Sequence, residues 1–150
     1  MQSPGVHQQY IATQVSTADR LQLVVMLYDG AVAFLKQAQE RMAQKDTVAK
    51  GRGISKALDI IAELNASINF QDGKEVAANL FHLYNFLTAH LTKANLNWDQ
   101  EALEESINIL SRLRDAWEEV CRKARRGELA EPDGLPHQAQ PRKHLASLKV

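Results

Sequence analysis

The chain has 150 residues, a length typical of one domain, and its 45% hydrophobic and 24% charged content is that of an ordinary globular protein. Eighteen basic and eighteen acidic side chains cancel, which argues against nucleic acid or an anionic membrane as the partner, because both attract excess positive charge. The single cysteine, Cys121, excludes an internal disulfide, and no stretch reaches the roughly 18 apolar residues of a membrane span. The N-terminus lacks the basic and apolar regions of a secretory signal. We therefore expect a cytoplasmic protein without membrane insertion.

The first predicted helix runs from Thr17 to about Ala43, with Ser16 as its N-cap. Its apolar residues recur at helical spacing on two adjoining faces, so we expect this helix to touch neighbours on more than one side. Gly30 lies inside the pattern, and we interpret it as a place where another backbone approaches closely. Residues 1–15 are mostly polar and are expected to form a mobile N-terminal arm with a few apolar anchors.

Two further helices are predicted in the middle of the chain. The second begins at Asp46 or Thr47, and we expect it to end at residues 71–73, with Gly73 in a left-handed conformation. The third helix has an apolar stripe at helical spacing, formed by Val76, Leu80, Leu83, Tyr84, Leu87 and Leu91. We expect residues 94–98 to connect it to the fourth helix.

The fourth predicted helix begins after Asp99, a good N-cap, and is closed by Gly127. It starts with acidic residues and ends with the basic run 122–126, an order that suits the partial charges of the two helix ends. We interpret the run as a solvated face. Four long helices with short connections predict an all-α fold, an antiparallel up-down four-helix bundle over residues 16–126. Residues 127–150 contain three prolines and few apolar side chains, so we expect a disordered C-terminal tail.

No pattern in the sequence predicts a catalytic residue, a cofactor or a metal site. A di-iron bundle needs glutamates followed by histidine three residues later, and no glutamate in this chain has one. Gly51 and Gly53 belong to a GRGISK segment that matches no phosphate-binding motif, and Cys121 has no histidine near it in the sequence. We expect a binding protein, not an enzyme, because the chain offers wide apolar helical surfaces and two flexible ends.

Two alternatives stay open on the residues alone. His90 is followed by Lys93, a spacing found in histidine phosphotransfer modules, which are also four-helix bundles, although Ala94 replaces the glycine that usually comes next. A purely structural bundle that oligomerises is the second alternative.

A specific block of residues, Met-Leu-Tyr-Asp-Gly-Ala at 26–31, follows Thr17-Ala18 and precedes Phe34-Leu35 and Ala38. Weaker motifs follow in order: Ser55-Lys56-Ala57, Ile60-Ile61, Glu63-Leu64, Asn79-Leu80, Leu83-Tyr84, Leu91, Ala94-Asn95, Leu113-Arg114 and Ala116-Trp117. Over roughly residues 10–126 the chain thus resembles the flagellin export chaperones, the FliS family. It departs from the family at Asp19-Arg20, where Ser-Pro is usual, at Asn85-Phe86, and at Lys74, where a second glycine is frequent.

The resemblance implies a cytosolic chaperone of a flagellated bacterium. Such a protein would bind the C-terminal segment of newly made flagellin, prevent its premature polymerisation and pass it to the flagellar type III export apparatus. A helical bundle suits this task because its apolar grooves can receive an amphipathic segment that folds on binding. The candidate partner-binding residues, some of which must also form core, are Tyr10, Ile11, Ile54, Leu58, Ile61, Leu64, Ile68, Leu80, Phe81 and Tyr84.

Overall fold

The computed structural model describes residues 16–128, and the expectations for residues 1–15 and for the tail beyond Glu128 lie outside this part of the chain. The described residues form four α-helices: α1 (Thr17–Ala43), α2 (Thr47–Ala66), α3 (Phe70–Asn97) and α4 (Gln100–Arg125). They pack in a ring in which α1 contacts α2 and α4, and α3 contacts the same two helices less extensively. The predicted all-α four-helix bundle is confirmed.

Side-chain pairs between α1 and α4 show that the two helices run in opposite directions. Asp19 at the start of α1 lies 3.6 Å from Arg125 at the end of α4. Asp29 contacts Arg114 at 2.7 Å, and Gln39 donates to Glu104 over 2.5 Å. Because the residue numbers rise along α1 as they fall along α4, the bundle is antiparallel.

Each helix begins with a polar side chain that accepts hydrogen bonds from the first backbone N–H groups. Ser16 accepts from the N–H of Asp19, as predicted, and Asp46 and Asp99 cap α2 and α4. Asn69 caps α3, accepting from two N–H groups at 3.1 Å each. These caps fix where each connection turns into a helix.

Two predicted boundaries are wrong. α2 ends at Ala66, ahead of the predicted 71–73, because Asn69 caps a new helix that begins at Phe70. Gly73 is therefore helical and buried, and it is the next residue, Lys74, that has a positive φ (φ 49°, ψ −117°). The predicted connection 94–98 is mostly helical, since α3 continues to Asn97 and only Trp98 turns left-handed. The first boundary is set by the Asn69 cap, and the second by the left-handed conformation of Trp98, which is uncommon for a residue other than glycine.

Lys50, in the first turn of α2, forms hydrogen bonds and a cation–π contact with residues at the end of α3. It is 4% exposed, its ammonium donates to the backbone and side-chain oxygens of Asn95 at 2.6 Å each, and it lies 4.2 Å from the ring centroid of Trp98. Burial lowers the pKa of this lysine. The contacts replace the water that the buried ammonium loses and so explain why a cation is tolerated there.

The core fills the centre of the bundle along its whole length. Its largest fully buried side chains come from all four helices: Leu21, Val25, Tyr28, Leu35, Ile54, Ile61, Leu87, Leu91, Leu103 and Leu110. Val76, placed by its spacing in the stripe of the third helix, is instead 42% exposed. α1 is the one described helix that passes a length and composition test for a membrane span, but 44% of its apolar window is buried inside the bundle. A core helix of a bundle passes the same test, so this one helix is weak evidence for a membrane span.

The close backbone approach expected at Gly30 occurs at Gly53. A Cβ atom on Gly30 would lie 3.4 Å from the side chain of Ile60, an ordinary contact distance. A Cβ atom on Gly53 would lie 2.9 Å from the carbonyl oxygen of Phe34 and 3.1 Å from the Cβ of Ala38. Gly53 is thus the residue that lets α1 and α2 cross closely.

Candidate functional site

A small apolar groove lies at the end of the bundle where α2 ends and α3 begins. It is bordered by residues of all four helices and of the α2–α3 connection: Val24, Leu64, Ser67, Ile68, Leu80, Tyr84 and Trp117. Its cavity volume is about 10 Å³, enough for about one water molecule. We call this feature the end groove.

A chain of hydrogen bonds forms the floor of the end groove. The hydroxyls of Tyr28 and Tyr84 share a very short hydrogen bond, and the indole N–H of Trp117 donates to Tyr28 over 3.1 Å. Burial raises the pKa of Tyr28 to about 12 and raises that of Tyr84 well above its usual value. Both phenols therefore stay neutral and hold α1, α3 and α4 together beneath the groove.

Exposed aromatic side chains stand on α3 close to the end groove. Phe70 is 52% exposed and packs edge-to-face against Phe81, which is 37% exposed, with 5.6 Å between ring centroids. Phe81 also contacts the ring of His82. Phe70 begins α3, and Phe81 lies three turns later in the same helix. The kink at Lys74 lies between them and sets the angle between the first turn, which carries Phe70, and the rest of the helix. Phe70 follows the groove residue Ile68 by two positions, and Phe81 is next in sequence to the groove residue Leu80, so the pair lies beside the groove.

A family model described as flagellar protein FliS matches residues 3–124. The chain belongs to the FliS family. It is 39% identical over 115 residues to the flagellar secretion chaperone FliS of Salmonella typhimurium, covering 76% of this chain and 85% of that protein. It is also 34% identical over 110 residues to the FliS of Vibrio cholerae (73% and 81% covered) and 30% identical over 117 residues to that of Bacillus subtilis (78% and 86% covered). The resemblance inferred from the sequence motifs is confirmed, and the family is one of chaperones of flagellar secretion.

The structure separates the candidate partner-binding residues of this FliS-family chain into three groups. Ile54 and Ile61 are fully buried core residues, and Leu58 is partly buried against the core. Tyr10 and Ile11 lie outside the described residues. The remaining five come together at the end groove or on the helix beside it: Leu64, Ile68, Leu80, Phe81 and Tyr84.

His90 does not have the surroundings of a phosphate-accepting histidine. Its imidazole is 2.8 Å from a carboxylate oxygen of Glu105 and is stacked on Phe86, with 4.9 Å between ring centroids. A carboxylate at this distance repels the negative oxygens of a phosphoryl group. The phosphotransfer alternative therefore gains no support from the geometry around His90.

Within residues 16–128, no cluster of three His, Cys, Asp or Glu side chains is arranged to hold a metal ion. Cys121 is buried, and its thiol lies 3.4 Å from the backbone oxygen of Ala18. The arginines of the basic run at the end of α4 are paired with carboxylates, among them Arg122 with Glu119 at 2.6 Å, and they are about half exposed, as expected of a solvated face. Cys121 therefore contributes to helix packing, and the paired arginines contribute to the charged surface of the bundle.

Sequence reasoning missed Phe70 and Trp117 as members of the site. Trp117 has the helical spacing of a core residue of the fourth helix, but it is partly buried at the edge of the groove. Phe70 was placed inside α2 because the cap at Asn69 was not recognised. An asparagine followed by an aromatic residue and then Asp72 is the signal that would have revealed the start of α3.

Proposed function

We propose that this FliS-family protein acts in the cytosol, binds the C-terminal segment of newly made flagellin, keeps it from polymerising and supports its delivery to the flagellar export apparatus. The observation that carries the proposal is the end groove with the exposed pair Phe70 and Phe81 beside it. An apolar surface of this kind, on a member of a secretion-chaperone family, suits an amphipathic segment that folds as it binds.

The size of the end groove constrains how such a segment binds. At about 10 Å³ the groove cannot take up a leucine or phenylalanine side chain. α3 contacts its two neighbours less extensively than α1 does. Client side chains therefore lie across Phe70 and Phe81 and enter between the helices only when α3 moves outward.

The first test is titration calorimetry of the full-length protein with a flagellin C-terminal peptide. Phe81→Ser removes an exposed aromatic ring without opening the core, and we expect it to weaken binding about ten-fold or more. Phe86→Ser is the matched control, because Phe86 lies on the same helix, is 49% exposed and stacks on His90, away from the Phe70–Phe81 pair. We expect the control to bind as wild type does.

A second measurement follows flagellin polymerisation by light scattering. Wild-type protein should suppress filament growth at equimolar ratio, and Phe81→Ser should suppress it less. If wild type neither binds the peptide nor suppresses growth, the proposed function is wrong. If the control loses binding while Phe81→Ser retains it, the binding surface lies on another face of α3.

A further inference from the structure

A second concave surface lies between the C-terminal half of α1 and the N-terminal half of α2. It has a volume of about 210 Å³, and we call it the basic cleft; its lining is Phe34, Gln37, Arg41, Ala49, Arg52, Gly53 and Lys56. It shares no residue with the end groove. The two surfaces are therefore separate features of the bundle.

Helical spacing and the close crossing at Gly53 bring the cations of the basic cleft together. On α1, Phe34 and Arg41 lie two turns apart on one face, and on α2 Arg52 and Lys56 lie one turn apart. Gly53 lets the backbone of Phe34 approach α2, so that both rows border one cleft. The charge of the cleft is thus fixed by two regular helices and not by a loop.

The cations of the basic cleft carry no compensating carboxylate within the described part of the chain. Arg41 donates only to the neutral amide of Gln44, over 3.0 Å, and the ammonium of Lys56 lies 5.6 Å from the ring centroid of Phe34. No carboxylate lies within 4.0 Å of either residue or of Arg52 among residues 16–128. The nearby Asp46 already caps the N–H of Ala49.

Most arginines in or just after α4 lie within 4.0 Å of a carboxylate: Arg114, Arg122, Arg125 and Arg126. Arg112 on the same helix has no such pair among residues 16–128, but it does not line the basic cleft. The cleft differs from both cases because three cations without a carboxylate line one concave surface. The chain carries equal numbers of acidic and basic residues, so positive charge left unpaired in the basic cleft reflects placement and not an overall excess. Like charges held together without counter-charges attract an anionic partner.

We propose that the basic cleft is a docking site for an acidic segment of a second protein. Carboxylates of that segment pair with Arg41, Arg52 and Lys56, and an apolar side chain between them packs on the ring of Phe34. The guanidinium groups give bidentate hydrogen bonds to carboxylates, which fixes the direction of the segment along the cleft. Since the end groove lies elsewhere, both surfaces can be occupied at once.

The chain's own tail is poorly placed to be the occupant. α4 ends beside Asp19, at the opposite end of the bundle from Arg41. Arg41 is about 33 Å further along α1, at about 1.5 Å per residue. The acidic residues Glu131 and Asp133 follow Arg125 by too few residues to reach Arg41, because an extended chain covers at most about 3.6 Å per residue. The tail can therefore not place carboxylates along the whole cleft.

The test uses the full-length protein and a short fluorescent oligoglutamate peptide with one central phenylalanine. Its oligoglutamine counterpart is the neutral control peptide. Binding is followed by fluorescence anisotropy at low and high salt, and the contact surface is mapped by amide chemical shifts. Arg52→Gln/Lys56→Gln removes two cations of the cleft. Lys93→Gln/Arg112→Gln removes one exposed lysine on α3 and one exposed arginine on α4, so the change in net charge is the same.

We expect binding of the acidic peptide, with shifts at the basic cleft and an affinity that falls as salt rises. The cleft variant should lose about five- to ten-fold in affinity, and the control variant should lose much less. Equal losses in both variants, or shifts that map to the basic end of α4, would overturn the proposal.

Three further outcomes would contradict the proposal and indicate a different occupant of the basic cleft. Binding to phosphatidylglycerol vesicles but not to the peptide would indicate a membrane surface. Concentration-dependent self-association that the cleft variant abolishes would indicate a second copy of this chain. Tighter peptide binding by a chain ending at Glu128 would indicate that the tail occupies the cleft.

Discussion

The polar contacts that matter most at the scale of single residues are buried ones between helices. Tyr28 is the central member of the hydrogen-bonded chain beneath the end groove, since both Tyr84 and Trp117 contact its hydroxyl. Arg114 joins α4 to α1 through a hydrogen bond to Asp29, which raises the pKa of the guanidinium, but this pair is partly exposed to solvent. An exposed ion pair stabilises little, so the tyrosines are the better target for mutation.

Tyr28→Phe should destabilise the protein more than Tyr84→Phe. Removing the hydroxyl of Tyr28 leaves two partners without their hydrogen bond, and we expect a loss of about 2–3 kcal/mol. Removing that of Tyr84 leaves Tyr28 still bonded to Trp117, and we expect a loss of about 1 kcal/mol. Chemical denaturation of the two variants measures the difference, and equal losses would contradict the central role of Tyr28.

Lys74 adopts a backbone conformation that favours glycine. Its φ of 49° and ψ of −117° interrupt α3 one turn after it begins. Lys74→Gly should therefore stabilise the protein by about 1 kcal/mol, because the side chain no longer opposes the conformation. Glu75→Gly, one residue further along the same helix, is the control and should destabilise by about 1 kcal/mol. A loss of stability from Lys74→Gly would show that the positive φ of Lys74 does not destabilise the wild-type protein.

At the scale of helices, the pair α1 and α2 is held by a close crossing. The crossing requires a glycine at position 53, and the other glycines of these helices have more room around them. The same close approach forms the basic cleft, so packing and surface charge are linked at this position.

Three glycine-to-alanine variants separate helix propensity from close packing. Gly30→Ala and Gly51→Ala place a methyl group at 3.4 Å and 3.9 Å from the nearest side-chain atoms, so each should gain up to about 1 kcal/mol from improved helix propensity. Gly53→Ala meets a carbonyl oxygen at 2.9 Å and should lose about 1–3 kcal/mol through overpacking. Thermal unfolding of the three variants compares them, and a stabilising Gly53→Ala would mean that α1 and α2 separate easily.

At the scale of the whole molecule, the bundle has a well-packed side and a looser one. α1 lies between α2 and α4 and contributes most to the core, whereas α3 contacts its neighbours less and carries the exposed aromatic residues. The tyrosine pair joins α3 to α1, so its protonation affects the stability of the whole bundle.

We expect stability to fall at alkaline pH. The pKa of Tyr28 is raised to about 12 and that of Tyr84 well above 10, so folding favours the neutral phenols. This contribution is fully present below about pH 10, where unfolded tyrosine is also neutral, and is lost as the pH rises towards 12. Each tyrosine contributes a slope of up to about 1.4 kcal/mol per pH unit. Lys50 has the opposite effect on stability. Burial lowers its pKa because the buried ammonium is poorly solvated, so deprotonation at alkaline pH favours the folded state.

Urea denaturation between pH 9 and pH 11 tests this expectation. The double variant Tyr28→Phe/Tyr84→Phe should show a clearly flatter loss of stability than wild type over that range. Identical slopes in the two proteins would mean that the phenols are not protected from ionisation in the folded state.

The sequence by itself determined the number of helices, their approximate limits and their antiparallel order, because apolar periodicity, polar caps and short connections are local signals. Its motifs also determined the family. Only the tertiary structure decided which apolar residues remain accessible: Val76 and Leu87 belong to one predicted stripe, yet Val76 is 42% exposed and Leu87 is fully buried, because the neighbours they meet differ. The close crossing at Gly53 and the unpaired cations of the basic cleft were decided in the same way, because distances between helices are not encoded in the pattern of either helix alone.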